Sequence, residues 1–219
     1  MREMAGTPTN PEIYHITHLD NLAQIVAAGA LLSDAERLSR NLDCRIVGMS
    51  NIKLARLVAV EVPCHPGTKV GEYVPFYFCP RSVMLYLLHM GNHPELDYHG
   101  GQRPILHLVA NVRDVVAWAD AQGRRWAFSD CNARAGYAHF FNNLEDLKEI
   151  NWPAVAATSW RDPPVKEGKQ AEFLVYESFP WQRVEHIGVE DQGIERRVND
   201  ILRDARHKPL VTVEPNWYY

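Results

Sequence analysis

The chain has 219 residues, of which 46% are hydrophobic and 23% are charged, and its formal net charge is −4. These proportions are typical of a globular protein with a sizeable core, and without a linker-like run we expect one domain over residues 1–219. The acidic balance excludes a protein that coats nucleic acid through bulk electrostatics, because phosphate neutralisation needs concentrated Lys and Arg. No signal peptide and no run of about 18 apolar residues is found, so we expect a soluble cytoplasmic protein without a membrane contact.

Motif spacing excludes two frequent kinds of cofactor site. The four cysteines, at positions 44, 64, 79 and 131, form no C-x-x-C pair and have no histidine at zinc-finger spacing. We therefore predict reduced thiols and no metal. The sequence also lacks G-x-G-x-x-G and G-x-x-x-x-G-K-[ST], so neither Rossmann nor P-loop nucleotide binding is predicted.

The first clear element is a strand over residues 13–17, where apolar and polar side chains alternate. The alternation places His15 and Thr17 on one face. A histidine on a half-buried strand has two readings, a core residue with satisfied hydrogen bonds or a ligand contact. With a hydroxyl beside it, the imidazole could hydrogen-bond a ribose.

A helix is expected over residues 21–28, with Thr17 or Asp20 as its cap and Gly29 as its end. The following residues 32–71 have weak periodicity and many basic side chains. This pattern predicts a long, partly structured excursion, and such loops in compact domains are often functional.

The remaining elements mix strands and helices in an irregular order. Strands are expected over residues 73–78, 105–110, 126–130, 171–176 and 184–189, and helices after Ser82 and over residues 144–150 and 194–205. A loop over residues 152–168 precedes the strand 171–176, and we expect the strand 184–189 to pair beside that strand. The irregular order and the aromatic strands favour an α+β fold over a doubly wound parallel sheet.

Glu172 is the most informative single residue, because the strand around it is otherwise apolar. A carboxylate in such a strand is costly unless it is paired or faces a cleft. The alternative is a side chain that points to solvent at the beginning of the strand.

Four segments together resemble the DarT family. They are residues 14–18 (YHITH), 73–86 (YVPFYFCPRSVMLY), 169–176 (KQAEFLVY) and 217–219 (WYY). The segments span nearly the whole chain and occur in the family's order. A chance similarity to one motif would not produce four matches in this order.

The resemblance implies the ADP-ribosyltransferase fold of the poly-ADP-ribose polymerases, a split, mostly antiparallel sheet with NAD in its cleft. It also implies a toxin that uses NAD as a co-substrate, needs no metal and ADP-ribosylates a base in single-stranded DNA. A macrodomain antitoxin that removes the mark is the implied partner, and we expect a monomer.

The resemblance gives Glu172 the role of the catalytic glutamate. A carboxylate against the ribose 2′-hydroxyl stabilises the positive charge that develops as nicotinamide leaves. An arginine of the basic excursion is implied to assist the acceptor base, and Arg56 aligns there. The family often has two adjacent arginines at this point, whereas this chain has Ala55 and Arg56, so Arg45 stays the alternative.

A further set of residues is assigned by resemblance to NAD. His15 would bind the adenosine side of NAD, and the dinucleotide would be supported by Thr17, Asn21 and Arg45. The nicotinamide would lie between Tyr77 and Tyr86. Its carboxamide would form a hydrogen bond with Ser82. The alternative for the two tyrosines is a structural core. The loop over residues 152–169 would contact the acceptor.

Local DNA contacts are expected from the basic excursion. The candidates are Arg37, Arg40, Arg45, Lys53 and Arg56, with Arg81 further along the chain. Stacking and a few phosphate contacts suffice for an enzyme that modifies one exposed base. Four later arginines, Arg196, Arg197, Arg203 and Arg206, are interpreted instead as a solvated helix face.

Other functions stay open at this level. The acceptor could be RNA or protein, the chain could hydrolyse NAD without an acceptor, or it could be an inactive module that binds NAD or nucleic acid.

Overall fold

The computed structural model describes residues 6–219. In this part of the chain the strands are β1 (Glu12–His18), β2 (Ala30–Leu32), β3 (Tyr73–Tyr77), β4 (Ile105–Asn111), β5 (Trp126–Ser129), β6 (Phe140–Phe141), β7 (Glu172–Tyr176), β8 (Ser178–Pro180), β9 (His186–Val189) and β10 (Leu210–Val213). The α-helices are α1 (Leu22–Ala28), α2 (Asp34–Ser39), α3 (Ser50–Val58), α4 (Val83–Met90), α5 (Val112–Ala121), α6 (Trp152–Ala156), α7 (Pro163–Gly168) and α8 (Gln192–Ile201). Short 3-10 turns cover Leu19–Asn21, Val70–Glu72, Leu144–Glu149, Trp181–Arg183 and Pro215–Trp217.

Eight strands form one sheet in the order β10-β9-β4-β1-β3-β7-β5-β6, and β2 and β8 pair separately. Neighbouring strands of the large sheet are antiparallel, except for the parallel pair of β9 and β10. The registered contact between β1 and β3 is limited to Tyr14 opposite Tyr77. The sheet is therefore nearly split at this point, which confirms the predicted α+β class and the mostly antiparallel, divided sheet.

The strand register places candidate residues from β1, β3 and β7 side by side across the sheet. Tyr77 lies opposite Tyr14 on one side and opposite Glu172 on the other. His15 follows Tyr14 on β1 and pairs with Leu108 of β4. The first strand and the late apolar strand are therefore separated by β3 alone.

Apolar side chains from the sheet and the helices form the main core. Phe76 and Phe173 on the sheet belong to one buried cluster with Val116 of α5 and Val198 of α8. Burial of such side chains is the main stabilising contribution to a domain of this size. Among residues 6–219, none of the helices combines the length and the apolar character needed to cross a membrane.

Several sequence-based elements need correction. The strand β9 does not lie beside β7, because it pairs with β4 and β10. The excursion after Leu32 contains two helices, α2 and α3, and the loop over residues 152–168 contains α6 and α7. Proline lies in the first turn of both α6 and α7, where a missing N–H costs nothing, so these prolines start helices and do not interrupt them.

The beginning of α1 also differs from the expectation, whereas its end agrees. Neither Thr17 nor Asp20 caps the helix. The chain first forms the 3-10 turn, and the His18 ring accepts a hydrogen bond from the Asp20 N–H. Gly29 ends the helix with φ 67°, a left-handed conformation that glycine adopts without strain.

Candidate functional site

A cavity of about 290 Å³, here called the main cavity, lies between β1, β3 and the helices α1 to α4. Eight of the candidate residues line it, namely His15, Thr17, Asn21, Arg37, Arg45, Lys53, Arg56 and Tyr77. Glu172 lies directly behind this wall, since it is opposite Tyr77 in the sheet and in contact with Arg56. The residues expected at the two sides of the cleft are thus brought together at one cavity.

Arg56 and Glu172 form a two-point ion pair beside the main cavity. Arg56 Nη1 donates to Glu172 Oε1 at 3.1 Å, and Arg56 Nη2 donates to Oε2 at 2.8 Å. The Ala133 N–H also donates to Oε1, at 3.0 Å. Burial acts to lower the pKa of Arg56, but the charge and hydrogen bonds of Glu172 outweigh it and raise that pKa. The carboxylate, only 1% exposed, is thereby held in one orientation.

Tyr77 presents an aromatic ring and a protonated hydroxyl beside this pair. Burial, and after it the charge of Glu172, raise the pKa of Tyr77 well above its usual value. The phenol therefore stays neutral at physiological pH. It can flank a planar ring while keeping the proton that it would donate.

His15 is a neutral hydrogen-bonding group on β1, at the wall of the main cavity. Its Nδ1 lies 2.8 Å from the carbonyl oxygen of Pro75. A carbonyl accepts only, so Nδ1 bears the proton and Nε2 is the acceptor nitrogen. Burial lowers the pKa of His15 to about 4, which keeps the ring uncharged near neutral pH.

Asn21 connects Thr17 to the segment that contains Arg45. Its Nδ2 donates to Thr17 Oγ1 at 3.2 Å and to the Arg45 carbonyl at 2.9 Å, and its Oδ1 accepts from the Arg45 N–H at 2.7 Å. The Arg45 guanidinium turns away to Asp20, with an N–O distance of 3.1 Å. The structure therefore brings Arg56, and not Arg45, to Glu172.

Two residues assigned to nicotinamide do not line the main cavity. Ser82 is fully buried, and its hydroxyl accepts from the Leu85 N–H, so it caps α4 and does not present itself to a ligand. Tyr86 packs edge-to-face against Trp160 and Tyr219, with centroid distances of 4.9 and 5.1 Å. Both nicotinamide assignments stay predictions, while the structure gives Ser82 a capping role and Tyr86 the packing role that the sequence left open as its alternative.

The basic residues expected at DNA do not form one patch. Arg40 is exposed and pairs with Glu36 at 2.6 Å, whereas Lys53 lies at the cavity wall and pairs with Asp34 at 2.9 Å. Arg81 lies elsewhere, with its guanidinium carbon 4.3 Å from the centre of the Tyr219 ring. Among the later arginines, all four are exposed, in agreement with a solvated face.

The structure adds residues that the sequence-based site did not include. Asn132 and Gln170 line the main cavity and are joined by a hydrogen bond of 3.3 Å. Gln170 lies in the turn between α7 and β7, outside the predicted strand, so strand periodicity could not have placed it. Asn132 and the Ala133 N–H come from a loop after β5, where no periodic pattern signals a contact with Glu172.

Among residues 6–219 we find no group of three or more His, Cys, Asp and Glu side chains arranged to hold a metal ion. The four cysteines are free thiols.

Comparison with known proteins agrees with the resemblance. Residues 14–219 match the model of the DarT family, described as ssDNA thymidine ADP-ribosyltransferase. A DNA ADP-ribosyl transferase of Thermus aquaticus is 44% identical over 97% of this chain and 90% of its own length. That of Thermus sp. strain 2.9 is 41% identical over 97% of this chain and 98% of its length. In Thermosipho africanus, a fusion of a DNA ADP-ribosyl transferase with a DNA ADP-ribosyl glycohydrolase is 36% identical over 97% of this chain and 50% of its length.

Two solved structures of Thermus sp. 2.9 DarT resemble the fold closely. The complex with ADP-ribosylated ssDNA has a TM-score of 0.89 at 38% identity and covers 99% of this chain and 100% of that chain. The complex with NAD+ has a TM-score of 0.82 at 38% identity and covers 97% of this chain and 99% of that chain. By sequence and fold, this chain belongs to the DarT family, whose model is described as ssDNA thymidine ADP-ribosyltransferase.

Proposed function

We propose that this protein cleaves NAD and transfers ADP-ribose to a thymidine base in single-stranded DNA. The observation that supports this most directly is the Arg56–Glu172 pair at a cavity that is also lined by His15. Membership of the DarT family and the likeness to the complexes with NAD+ and with ADP-ribosylated ssDNA support the same substrates.

The main cavity offers complementary groups for a dinucleotide. His15 Nε2 would accept from a hydroxyl on the adenosine side, with Thr17 and Asn21 beside it. Arg37 also lines the cavity, and its buried Nε has no hydrogen-bond partner among residues 6–219, which suits a phosphate oxygen. Tyr77 would flank the nicotinamide ring with its aromatic face.

Glu172 would act on the ribose next to the nicotinamide. As the bond between C1′ and the nicotinamide nitrogen breaks, its electron pair moves to the ring, and nicotinamide leaves without a general acid. Positive charge develops on the ribose. A carboxylate that accepts a hydrogen bond from the 2′-hydroxyl stabilises that charge, and the orientation imposed by Ala133 avoids reorganisation at that moment.

Arg56 would act on the acceptor. A thymine ring nitrogen would lose its proton to solvent water as it attacks C1′, and negative charge develops on the base oxygens as this proton leaves. A guanidinium stays protonated at any working pH, so its role would be to stabilise that charge and not to remove the proton. This requires Arg56 to exchange part of its contact with Glu172 for the base.

We further propose that a separate glycohydrolase reverses the modification and that the pair acts as a toxin and an antitoxin. The fusion relative from Thermosipho africanus, which joins a DNA ADP-ribosyl transferase to a DNA ADP-ribosyl glycohydrolase, supports this pairing. A macrodomain is the implied fold of the partner. Cytoplasmic location and a monomeric state belong to the same proposal.

Mass spectrometry of defined oligonucleotides tests the function. The protein is incubated with NAD and four single-stranded oligonucleotides that differ at one central base, alongside an RNA and a duplex of the same sequence. We expect one ADP-ribose on the single-stranded DNA with central thymidine, with nicotinamide released in equal amount. Free ADP-ribose with unmodified oligonucleotides would indicate a hydrolase, and modified RNA would indicate a different acceptor.

A further inference from the structure

A second cavity of about 380 Å³, here called the rear cavity, shares no lining residue with the main cavity. It lies beside the turn between β3 and α4, against the start of β1 and the helix α6. Its principal lining residues are Tyr14, Cys79, Arg81, Trp152, Val155 and Lys169.

Lys169 is a buried cation at the wall of the rear cavity. The residue is only 3% exposed, and its Nζ donates to the Val155 carbonyl at 2.9 Å. Within residues 6–219 no carboxylate lies within ion-pair distance of this ammonium group. The Val155 carbonyl near the end of α6 and the Cys79 sulfur take two of its three donors, so a capping role explains only part of the arrangement.

The Cys79 thiol beside Lys169 does not neutralise it. The charge of Lys169 and a hydrogen bond from it act to lower the pKa of Cys79, but burial is the larger effect and raises that pKa. The thiol therefore stays protonated at neutral pH. A buried charge without a counter-charge destabilises the protein. Within the described part of the chain, the rear cavity therefore lacks a negative group that would pair with the Lys169 ammonium.

Arg81 adds a second cation to the same cavity. Its Nε is buried and has no hydrogen-bond partner within the described residues. The acidic residue at the rim, Glu12, is exposed and accepts a hydrogen bond from Tyr14 at 2.7 Å. Two cations and one carboxylate, Glu12, thus line the rear cavity, and that carboxylate is bonded to Tyr14.

We propose that the rear cavity binds a phosphate group, held by Lys169 and Arg81. Phosphate oxygens accept charge-assisted hydrogen bonds from both groups and supply the missing negative charge. The phosphate could belong to a DNA backbone or be a free anion, since both present the same chemistry. The DNA source rests on the function proposed above.

The position of the rear cavity would link such a phosphate to the reaction. Lys169 is followed by Gln170, which lines the main cavity and precedes Glu172 by two residues. Arg81 likewise precedes α4, whose Val83 and Met84 line the main cavity. A backbone phosphate bound here would anchor a DNA strand next to both elements.

The two sources are separated by two binding experiments without NAD. The first measures the Tm of the protein in phosphate and in chloride at equal ionic strength. The second measures, by fluorescence anisotropy, the Kd of single-stranded oligonucleotides in which one phosphodiester at a time is replaced by a neutral methylphosphonate. Both use the wild type, Lys169→Met and Arg81→Gln, with Arg206→Gln as the control, because Arg206 is an exposed arginine that lines neither cavity.

A free-anion site predicts a higher Tm of the wild type and the control in phosphate, with the gain lost in Lys169→Met and Arg81→Gln. A DNA site predicts that a methylphosphonate at one position raises the Kd of the wild type about tenfold. The same replacement should not change the Kd of Lys169→Met or of Arg81→Gln. Either result supports the proposal, and Arg81→Gln decides it if Lys169→Met does not fold. If neither phosphate nor any single linkage distinguishes the wild type from the variants, the proposal is wrong. Failure of the proposed function would instead appear as absent ADP-ribose transfer by a wild type that still binds phosphate.

Discussion

Arg56 and Glu172 are 116 positions apart in the chain, and their side chains meet in a two-point ion pair with N–O distances of 3.1 and 2.8 Å. The pair connects the helix α3, which belongs to the basic excursion, to the strand β7 of the sheet. Its side chains are 13% and 2% exposed, so water screens it little. The same contact thus stabilises the fold and positions two groups for chemistry.

Removing either side chain of the Arg56–Glu172 pair should destabilise the protein, because the charge of the other side chain is then buried without a partner. We predict that Arg56→Met lowers the free energy of unfolding by about 3 kcal/mol. Glu172→Gln should cost less, since the amide oxygen can still accept the Ala133 N–H. Urea denaturation measures both variants and their combination. The double variant should lose less than the sum of the two, and strictly additive losses would contradict the pairing.

The two candidate arginines should differ in activity. Arg56→Ala is expected to slow ADP-ribose transfer at least 100-fold, because it removes a group that stabilises developing charge. Arg45→Ala should change the rate less than tenfold, since that guanidinium is paired with Asp20 at the cavity rim. Initial rates at saturating NAD and DNA make the comparison. A larger loss in Arg45→Ala than in Arg56→Ala would reverse the assignment.

Close packing between β9 and the residues after β10 provides a test of the fold. A Cβ added at Gly188 would lie 2.2 Å from Trp217 Cζ3. Overpacking of this kind costs about 1–3 kcal/mol, so Gly188→Ala should be destabilised by that amount. The control is Gly136→Ala, where a Cβ meets nothing within 4 Å. Equal stability of the two variants in thermal unfolding would be evidence against the packing.

Acid should destabilise the protein partly through His107. This residue is fully buried, its Nε2 lies 3.0 Å from the Pro80 carbonyl, and burial lowers its pKa from 6.5 to about 4. Below pH 6.5 the His107 imidazole is therefore protonated in the unfolded chain but stays neutral in the folded protein. The free energy of unfolding falls as the pH is lowered, until about pH 4. The loss from this one group amounts to about 3 kcal/mol.

The matching measurement follows the free energy of unfolding from pH 7 to pH 4 in the wild type and in His107→Gln. The variant has no imidazole at this position, so its stability should fall less steeply over the interval. Parallel curves for the two proteins would show that His107 does not contribute to the acid sensitivity.

The parts of the fold and site that were predictable have strong local signals. Residues 171–176 form an apolar strand with one carboxylate, and a buried carboxylate needs a partner, which singles out Glu172. His15 and Thr17 share a face by strand periodicity. The structure places all three at or directly behind one cavity.

The features that the sequence could not decide depend on tertiary contacts that no local pattern encodes. Whether Arg45 or Arg56 reaches Glu172 is decided by the packing of α3 over a separation of more than 100 positions. Ser82 precedes a helix, and a capping serine has its hydroxyl engaged by the helix itself, so proximity to the cleft was not enough. The pairing of β9 with β4 likewise depends on sheet order and not on the strand's own composition.

The most direct test of the account compares Glu172→Gln with the wild type in two assays on the same samples, NAD affinity by calorimetry and ADP-ribose transfer to a thymidine-containing single strand by mass spectrometry. A group that acts in the transition state contributes little to ground-state binding. We predict an NAD Kd within a few-fold of the wild type and a transfer rate at least 100-fold lower. Transfer at the wild-type rate in Glu172→Gln would contradict the assignment of the catalytic carboxylate.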